Sequence, residues 1–140
     1  MSIVLTKTWY DVDFFECKLT ISGIGCSISM DMYTTNDECE EWREAILRFV
    51  SNPEECVEWV SGSDSEQSHH YIMMTFALYN KRGYVAIKVH VQNMRQEPYS
   101  MQSTFFIITE MNQLVDFGDN LERFIKSETY SIEGLMLLSP

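Results

Sequence analysis

Alternating apolar and polar residues predict a pair of neighbouring strands near the start of the chain. Between residues 14 and 21 every second residue is apolar, which is the period of a half-buried strand. Residues 26–32 repeat this pattern, and Gly23 and Gly25 stand between the two segments. So short a link containing glycine is typical of a hairpin. A further short strand is expected over residues 3–10.

The segment after this hairpin predicts a helix with one acidic face. Thr35 and Glu38 have the spacing of a capping box, and further acids crowd the first turn, where the helix dipole favours them. From Trp42 to Val50 apolar residues recur at helical spacing, and Asn52, followed by proline, ends the pattern. The other positions of this helix are mostly acidic, so its solvent face is expected to be negative.

Three more strands are predicted in the middle of the chain. Val57 and Trp59, with a polar residue between them, indicate the first and shortest. Residues 71–79 and 84–91 alternate more regularly, and Gly83 in the link between them is available for a positive φ. These two longer segments therefore predict a second hairpin.

The last predicted elements are a strand and a helix. Residues 104–108 are apolar on both faces, so we expect a strand that is central in a sheet or covered. Thr109 is expected to cap a helix that runs from residue 110 to 126, in which Gly118 weakens the helical propensity. The apolar tail over residues 134–138 is expected to dock on the sheet or to mediate association.

The element order β-β-α-β-β-β-β-α, with links of hairpin length, predicts an α+β fold. We expect an antiparallel meander sheet of about five to seven strands with two helices packed on one face. A chain of 140 residues suits a single domain, residues 1–140. Apolar runs are too short to cross a membrane, no secretory leader is visible, and the four cysteines lack close C-x-x-C spacing. We therefore expect a soluble, reduced, cytoplasmic protein.

The net charge and its distribution along the chain indicate what kind of partner the protein binds. The net charge is −11, and residues 1–70 hold 14 acids and 4 bases against 7 acids and 6 bases in residues 71–140. Such a chain repels nucleic acid and anionic membranes, and a basic protein partner is favoured. The same acids also serve as a solvated face that keeps the protein soluble. The predicted partner-binding residues are Asp37, Glu38, Glu40, Glu41, Glu44, Glu54, Glu55 and Glu58.

No motif predicts a catalytic, cofactor or metal site. The adjacent His69 and His70 point apart, and His90 alternates onto a polar strand face, so we expect two loop histidines and a surface histidine instead of zinc ligands. Cys39 lies among acids that disfavour a thiolate. Residues 22–25 lack the third glycine and the following helix of a phosphate loop. We expect a binding protein without catalytic residues, cofactor or metal.

The layout resembles that of small bacterial toxin-immunity proteins of the WapI-like type. The resemblance covers residues 14–126 and is carried by element order and hydrophobic pattern, namely a hairpin at 14–33, a capped helix with Trp42 and Phe49, paired strands at 72–80 and 83–91, and a strand at 103–108 running into a helix at 111–125. It implies a non-enzymatic cytoplasmic protein that binds a cognate toxin domain and blocks its active site. Many such toxins are nucleases, whose basic surface an acidic inhibitor matches.

Two alternatives stay open on the sequence alone. One is a homo-oligomeric structural or adaptor domain, for example a homodimer, that associates through the apolar tail. The other is an enzyme with an unrecognised pocket, for which the plentiful carboxylates offer acid and base pairs. Electrostatic binding of a basic partner slows as salt rises, whereas association through the tail does not.

Overall fold

The fold consists of two four-stranded sheets and two helices, as seen in a computed structural model that describes residues 2–12, 14–65 and 67–136. The strands are β1 (Ser2–Tyr10), β2 (Phe14–Gly23), β3 (Cys26–Thr35), β4 (Val57–Gly62), β5 (Tyr71–Leu78), β6 (Tyr84–Gln92), β7 (Gln102–Glu110) and β8 (Ser131–Gly134). The helices are α1 (Asn36–Ser51) and α2 (Met111–Ile125). Within these ranges, neither helix has the length and apolar character needed to cross a membrane.

All strand pairs are antiparallel, which confirms the predicted α+β class. The strand order is β3-β2-β1-β8 in the first sheet and β4-β5-β6-β7 in the second. The strands are thus divided between two sheets, where the sequence predicted one meander of five to seven strands. The division arises because α1 carries the chain away from β3, and the strands after it build a second face over the shared core.

The helices and the inner faces of both sheets form one hydrophobic core. Trp42 of α1 stacks on Trp59 of β4, with ring centroids 4.3 Å apart and planes 7° from parallel. Phe117 of α2 meets the same Trp42 ring edge-on at 5.2 Å. On the other side, Phe124 of α2 packs edge-on against Phe15 of β2 at 5.6 Å. The helices therefore join the two sheets.

The two helices begin differently. The hydroxyl of Thr35 accepts a hydrogen bond from the backbone N–H of Glu38 at 3.2 Å, as the capping pattern predicted, and Asn52 is the C-cap of α1. The predicted cap of α2 by Thr109 is wrong. Because β7 continues through Glu110, alternation turns the Thr109 side chain into the core, where its hydroxyl has no partner among the described residues.

Residues 104–108 lie in an edge strand of the second sheet, not in a central one. Phe106 on the outer face of β7 is 44% exposed. The tip of the β2–β3 hairpin covers this edge locally, since the Ile24 N–H donates to the Phe106 carbonyl at 2.8 Å. Gly23 lies so close that a Cβ there would be 2.5 Å from the Phe105 ring. The hairpin therefore covers part of the strand edge, while the outer face of β7 stays exposed at Phe106.

The C-terminal segment packs on the first sheet, which was the first of the two alternatives expected for the tail. Residues 131–134 form β8, which pairs with β1, and Leu135 is buried beside it. The Met136 N–H donates to the Gln113 side-chain oxygen at 3.2 Å. The remaining apolar positions of the predicted tail, 137 and 138, lie outside the described residues.

Gly118 gives a direct test of the contact between α1 and α2. It is buried on α2, and a Cβ built there would have Ile46 Cγ2 of α1 as its nearest neighbour at 3.8 Å, an ordinary van der Waals distance. Because alanine favours helix more than glycine does, Gly118→Ala should raise the free energy of unfolding by about 0.5–1 kcal/mol in urea titrations.

Gly134→Ala is the matched control for this substitution. A Cβ at Gly134 would lie 2.8 Å from the Phe117 ring, so the same change should lower the free energy of unfolding. If Gly118→Ala were also destabilising, the two helices would pack more closely than described.

Candidate partner-binding surface

The predicted acidic residues fall into two groups. Glu38 and Glu40 are half-buried and engaged within the protein: the Glu38 carboxylate accepts a hydrogen bond from the Thr34 hydroxyl at 2.8 Å. Glu40 pairs with Arg43 at 2.8 Å, and the same guanidinium reaches Glu122 at 3.3 Å. The others are exposed and form no ion pair with any described residue, and we call them the acidic surface: Asp37, Glu41, Glu44, Glu54, Glu55 and Glu58.

The acidic surface follows from the way α1 packs. The helix buries the side that includes Trp42 and Phe49, which leaves Asp37, Glu41 and Glu44 on the solvent side. The chain then turns through Glu54 and Glu55 and places Glu58 on the outer face of β4, the strand on which α1 packs. Residues 36–58 contain eight carboxylates and two arginines, which gives this segment a net charge of −6, out of −11 for the whole chain.

His70 lies in the loop between β4 and β5, as predicted, but its side chain is buried and links the two sheets. It is 4% exposed, its Nδ1 accepts a hydrogen bond from the Tyr33 N–H of β3 at 3.4 Å, and its Nε2 lies 2.8 Å from the Ser61 hydroxyl of β4. Burial lowers the pKa of His70 to about 4, with a smaller contribution from His69. The imidazole is therefore neutral at pH 7.

The Ser61–His70 pair is not arranged for nucleophilic catalysis. A general base needs a free lone pair on the nitrogen that faces the serine, with the other nitrogen donating to an acceptor. Here Nδ1 is occupied as an acceptor of the Tyr33 N–H, so the proton sits on Nε2 and is donated to Ser61. Both side chains are also buried, since Ser61 is 1% exposed. The pair is a structural bridge.

His90 is hydrogen-bonded on the second sheet, and Cys17 and Cys39 are buried. His90 bonds Thr104 through Nδ1 at 2.7 Å on the second sheet. Across the described ranges, no three His, Cys, Asp or Glu residues are grouped to hold a metal ion. Burial raises the pKa of Cys17 and that of Cys39 to about 12 each. For Cys39, burial is a larger cause than the neighbouring acids on which the sequence prediction relied.

A row of aromatic side chains, absent from the sequence prediction, lies on the outer face of the first sheet. Trp9 is 52% and Phe14 40% exposed, and their ring centroids are 6.0 Å apart. Phe14 is followed by Tyr33 at 6.4 Å and Tyr33 by His69 at 5.4 Å. We call these four residues the aromatic row. Cavities of about 390 and 560 Å³ meet at Tyr33 and His69.

A bulge in β1 places Trp9 in this row. Ile3, Leu5 and Lys7 point into the core, and strict alternation would bury residue 9 with them. The register shifts between Lys7 and Trp9, which brings Trp9 opposite Glu16 on the outer face. Bulges re-aim side chains in this way. The sequence carries no signal for the register shift, so the row was not predictable from alternation.

Glu16 lies between two rings of the row. It is opposite Trp9 on one neighbouring strand and opposite Tyr33 on the other. The side chain is half-buried, and its carboxylate makes no hydrogen bond or ion pair with any other described residue. Asp31 precedes Tyr33 by two positions on the same face and stands opposite Lys18.

Comparisons with known proteins assign no family to the chain. No protein-family model matches the sequence, and a search of curated proteins finds no significant match. Among solved structures, the chain is similar to WHY3 from Arabidopsis thaliana, with 9% identical residues, a TM-score of 0.45, and coverage of 89% of this chain and 78% of that one. Likeness at this level indicates neither a shared family nor a shared function.

Proposed function

We propose that this protein is a non-enzymatic binding protein whose acidic surface docks a basic protein partner. The observation that carries the proposal is the group of six exposed carboxylates, none of which is neutralised by an ion pair within the described residues. The resemblance to immunity proteins supplies the form of the partner, a cognate toxin domain encountered in the cytoplasm. The protein then acts by occupying the toxin's basic substrate-binding surface.

Charge repulsion within the acidic surface explains why a cationic partner is favoured. Glu41 and Glu44 are three residues apart on α1, so their carboxylates face solvent side by side. Neighbouring like charges destabilise the free protein, and a basic partner relieves that repulsion on binding. The same field attracts the partner from a distance and speeds association.

Charge reversal on the acidic surface should slow association with a basic partner. The partner for this test is a basic protein isolated by its co-purification with this chain. In the variant Glu41→Lys, Glu44→Lys and Glu54→Lys, we expect its association rate to fall about tenfold or more at low salt. The difference from the unmodified protein should shrink as salt rises, because screening removes the steering. Stopped-flow mixing at several salt concentrations measures both effects.

The matched control makes the same change in net charge at a different position. Asp116, Asp119 and Glu133 are exposed acids in the second half of the chain, and their triple replacement by lysine should alter the rate far less. Equal slowing by both variants would show that net charge alone matters and would remove the acidic surface from the interface. For the immunity role, the test is expression of the protein encoded by the adjacent upstream gene: if that protein is not toxic, or if this chain does not rescue cells from its toxicity, the assignment is refuted.

Self-association is the alternative function, and the outer face of the second sheet favours it. Val60 and Phe106 are 40% and 44% exposed there, and Met73 stands opposite Val60. Burial of such apolar side chains between two copies persists at high salt. Sedimentation at low and high salt therefore separates a homodimer of this kind from an electrostatic complex.

A further inference from the structure

We infer that the aromatic row and Glu16 form a binding site for an arginine side chain of a protein partner. The site consists of the exposed rings of Trp9 and Phe14 and the half-buried ring of Tyr33, with the carboxylate of Glu16 between them on the sheet surface. It goes beyond the acidic surface, because it uses other residues and a different mode of recognition.

The chemistry of the site matches a guanidinium group. A planar cation lies favourably over the face of Trp, Tyr or Phe because the ring quadrupole presents negative charge there. Guanidinium stacks on such rings more readily than ammonium and also donates hydrogen bonds in a fixed fork to a carboxylate. Glu16 offers a carboxylate with no other partner among the described residues, directly opposite Trp9 and Tyr33.

Two features indicate a site formed for binding. The bulge in β1 turns Trp9 away from the core and onto this face, at the expense of one regular ladder position. The result gathers a tryptophan and a tyrosine on one surface, the residue types that dominate binding energy at protein interfaces. Trp42 and Trp59, by contrast, are 1% and 5% exposed.

Charge decides between a cationic ligand and nucleic acid. Glu38 lines the 390 Å³ cavity beside Phe14, so a second carboxylate borders the row. Of the cations that line the neighbouring 560 Å³ cavity, Lys18 stands opposite Asp31 and Arg95 stacks on Tyr99 with its guanidinium carbon 5.0 Å from the ring centroid. Bases can stack on aromatic rings, but a chain with net charge −11 repels the phosphates between them. A second copy of this chain is disfavoured by the same charge.

Tryptophan fluorescence offers a direct test with the full chain. The probe is a capped glycine hexapeptide with two arginines, and the signal is the emission of Trp9, the exposed tryptophan. We expect saturable quenching with a dissociation constant on the order of 1 mM. The same peptide with citrulline for arginine keeps the shape without the charge and should leave the emission unchanged.

Substitutions then locate the binding. Glu16→Gln should weaken the peptide about tenfold and Phe14→Ala about fivefold. The controls are Glu133→Gln, an exposed acid on the outer face of the same sheet, and Tyr79→Ala, an exposed aromatic beyond β5. Both should change the affinity less than twofold. Far-ultraviolet circular dichroism verifies that each variant is folded.

Each contrary result overturns the inference. It fails if the arginine peptide leaves Trp9 emission unchanged up to about 10 mM, if the citrulline peptide quenches equally, or if Glu16→Gln binds as the unmodified protein does. Tighter binding of oligothymidylate than of the arginine peptide would assign the row to nucleic acid instead. None of these outcomes touches the acidic surface, whose test is the association rate of the charge-reversal variants.

Discussion

Replacing Trp42 with alanine is expected to lower the free energy of unfolding by about 4 kcal/mol. Trp42 is 1% exposed and lies between Trp59, stacked at 4.3 Å, and Phe117 at 5.2 Å, so its removal leaves a cavity where α1, α2 and the second sheet meet. The indole Nε1 of Trp42 has no hydrogen-bond partner among the described residues. The loss is therefore one of packing, and urea titration followed by circular dichroism measures it.

Two further substitutions serve this test, one at an exposed position as a control and one conservative replacement of Trp42. Val12 is 96% exposed, and Val12→Ala should change the free energy of unfolding by less than about 0.5 kcal/mol. If Trp42→Ala does not fold, Trp42→Phe retains part of the ring contact and should lose about 1–2 kcal/mol. A loss below 0.5 kcal/mol for both Trp42 variants would contradict the described core.

Lowering the pH should destabilise the protein through His70. The pKa of this residue is about 4 in the folded protein against 6.5 for an unperturbed histidine. Between pH 6.5 and 4 the imidazole is therefore protonated in the unfolded chain and neutral in the folded protein. The contribution of neutral His70 to the free energy of unfolding is complete above pH 6.5. As pH falls from 6.5 to 4 this contribution declines by about 3 kcal/mol. Protonation at Nδ1 would face the Tyr33 N–H, which is itself a donor.

The measurement is the difference between the protein and its His70→Gln variant, since carboxylates also titrate below pH 6. Urea titrations at pH 7, 6, 5 and 4 should show the variant less stable at pH 7, with the gap closing as the pH falls. His69→Gln, a substitution at an exposed position, should keep most of the pH dependence, because burial is the larger cause of the lowered His70 pKa and His69 the smaller one. Parallel pH profiles for the protein and His70→Gln would rule out the buried neutral imidazole.

Local patterns located most elements because each buries one face in the core. Cys17 of β2, Met32 of β3 and Phe49 of α1 are all buried as their spacing predicted. The partition into two sheets was not predictable, since alternation specifies which face of a strand is buried and not which strand pairs with it. β8 shows the limit most clearly: its four residues are too few for a period, yet Ile132 pairs with Leu5 to extend the first sheet.

The sequence likewise predicted only some features of the acidic residues. Helical spacing correctly placed Asp37, Glu41 and Glu44 on the solvent face of α1, because that depends on one helix alone. It did not indicate that Glu40 is held by Arg43, which also reaches Glu122 of α2. Contacts of that kind depend on how distant segments pack.

The burial of His70 and the presence of the aromatic row could not be predicted from the sequence, for a related reason. The burial of His70 depends on β3 and β4 meeting from different sheets, at Tyr33 and Ser61. The exposure of Trp9 depends on a register shift. Neither arrangement leaves a trace in the spacing of residues along the chain.

The pairing of β1 with β8 governs when this chain can finish folding during its synthesis. The hydroxyls of Thr6 and Ser131 lie 2.9 Å apart although 125 positions separate them in sequence. A loop of that length is slow to close. Until residue 134 has left the ribosome, one edge of β1 offers unpaired backbone groups to any passing strand. The nascent chain therefore remains open to mispairing at this edge, and to binding by chaperones, until β8 has been made.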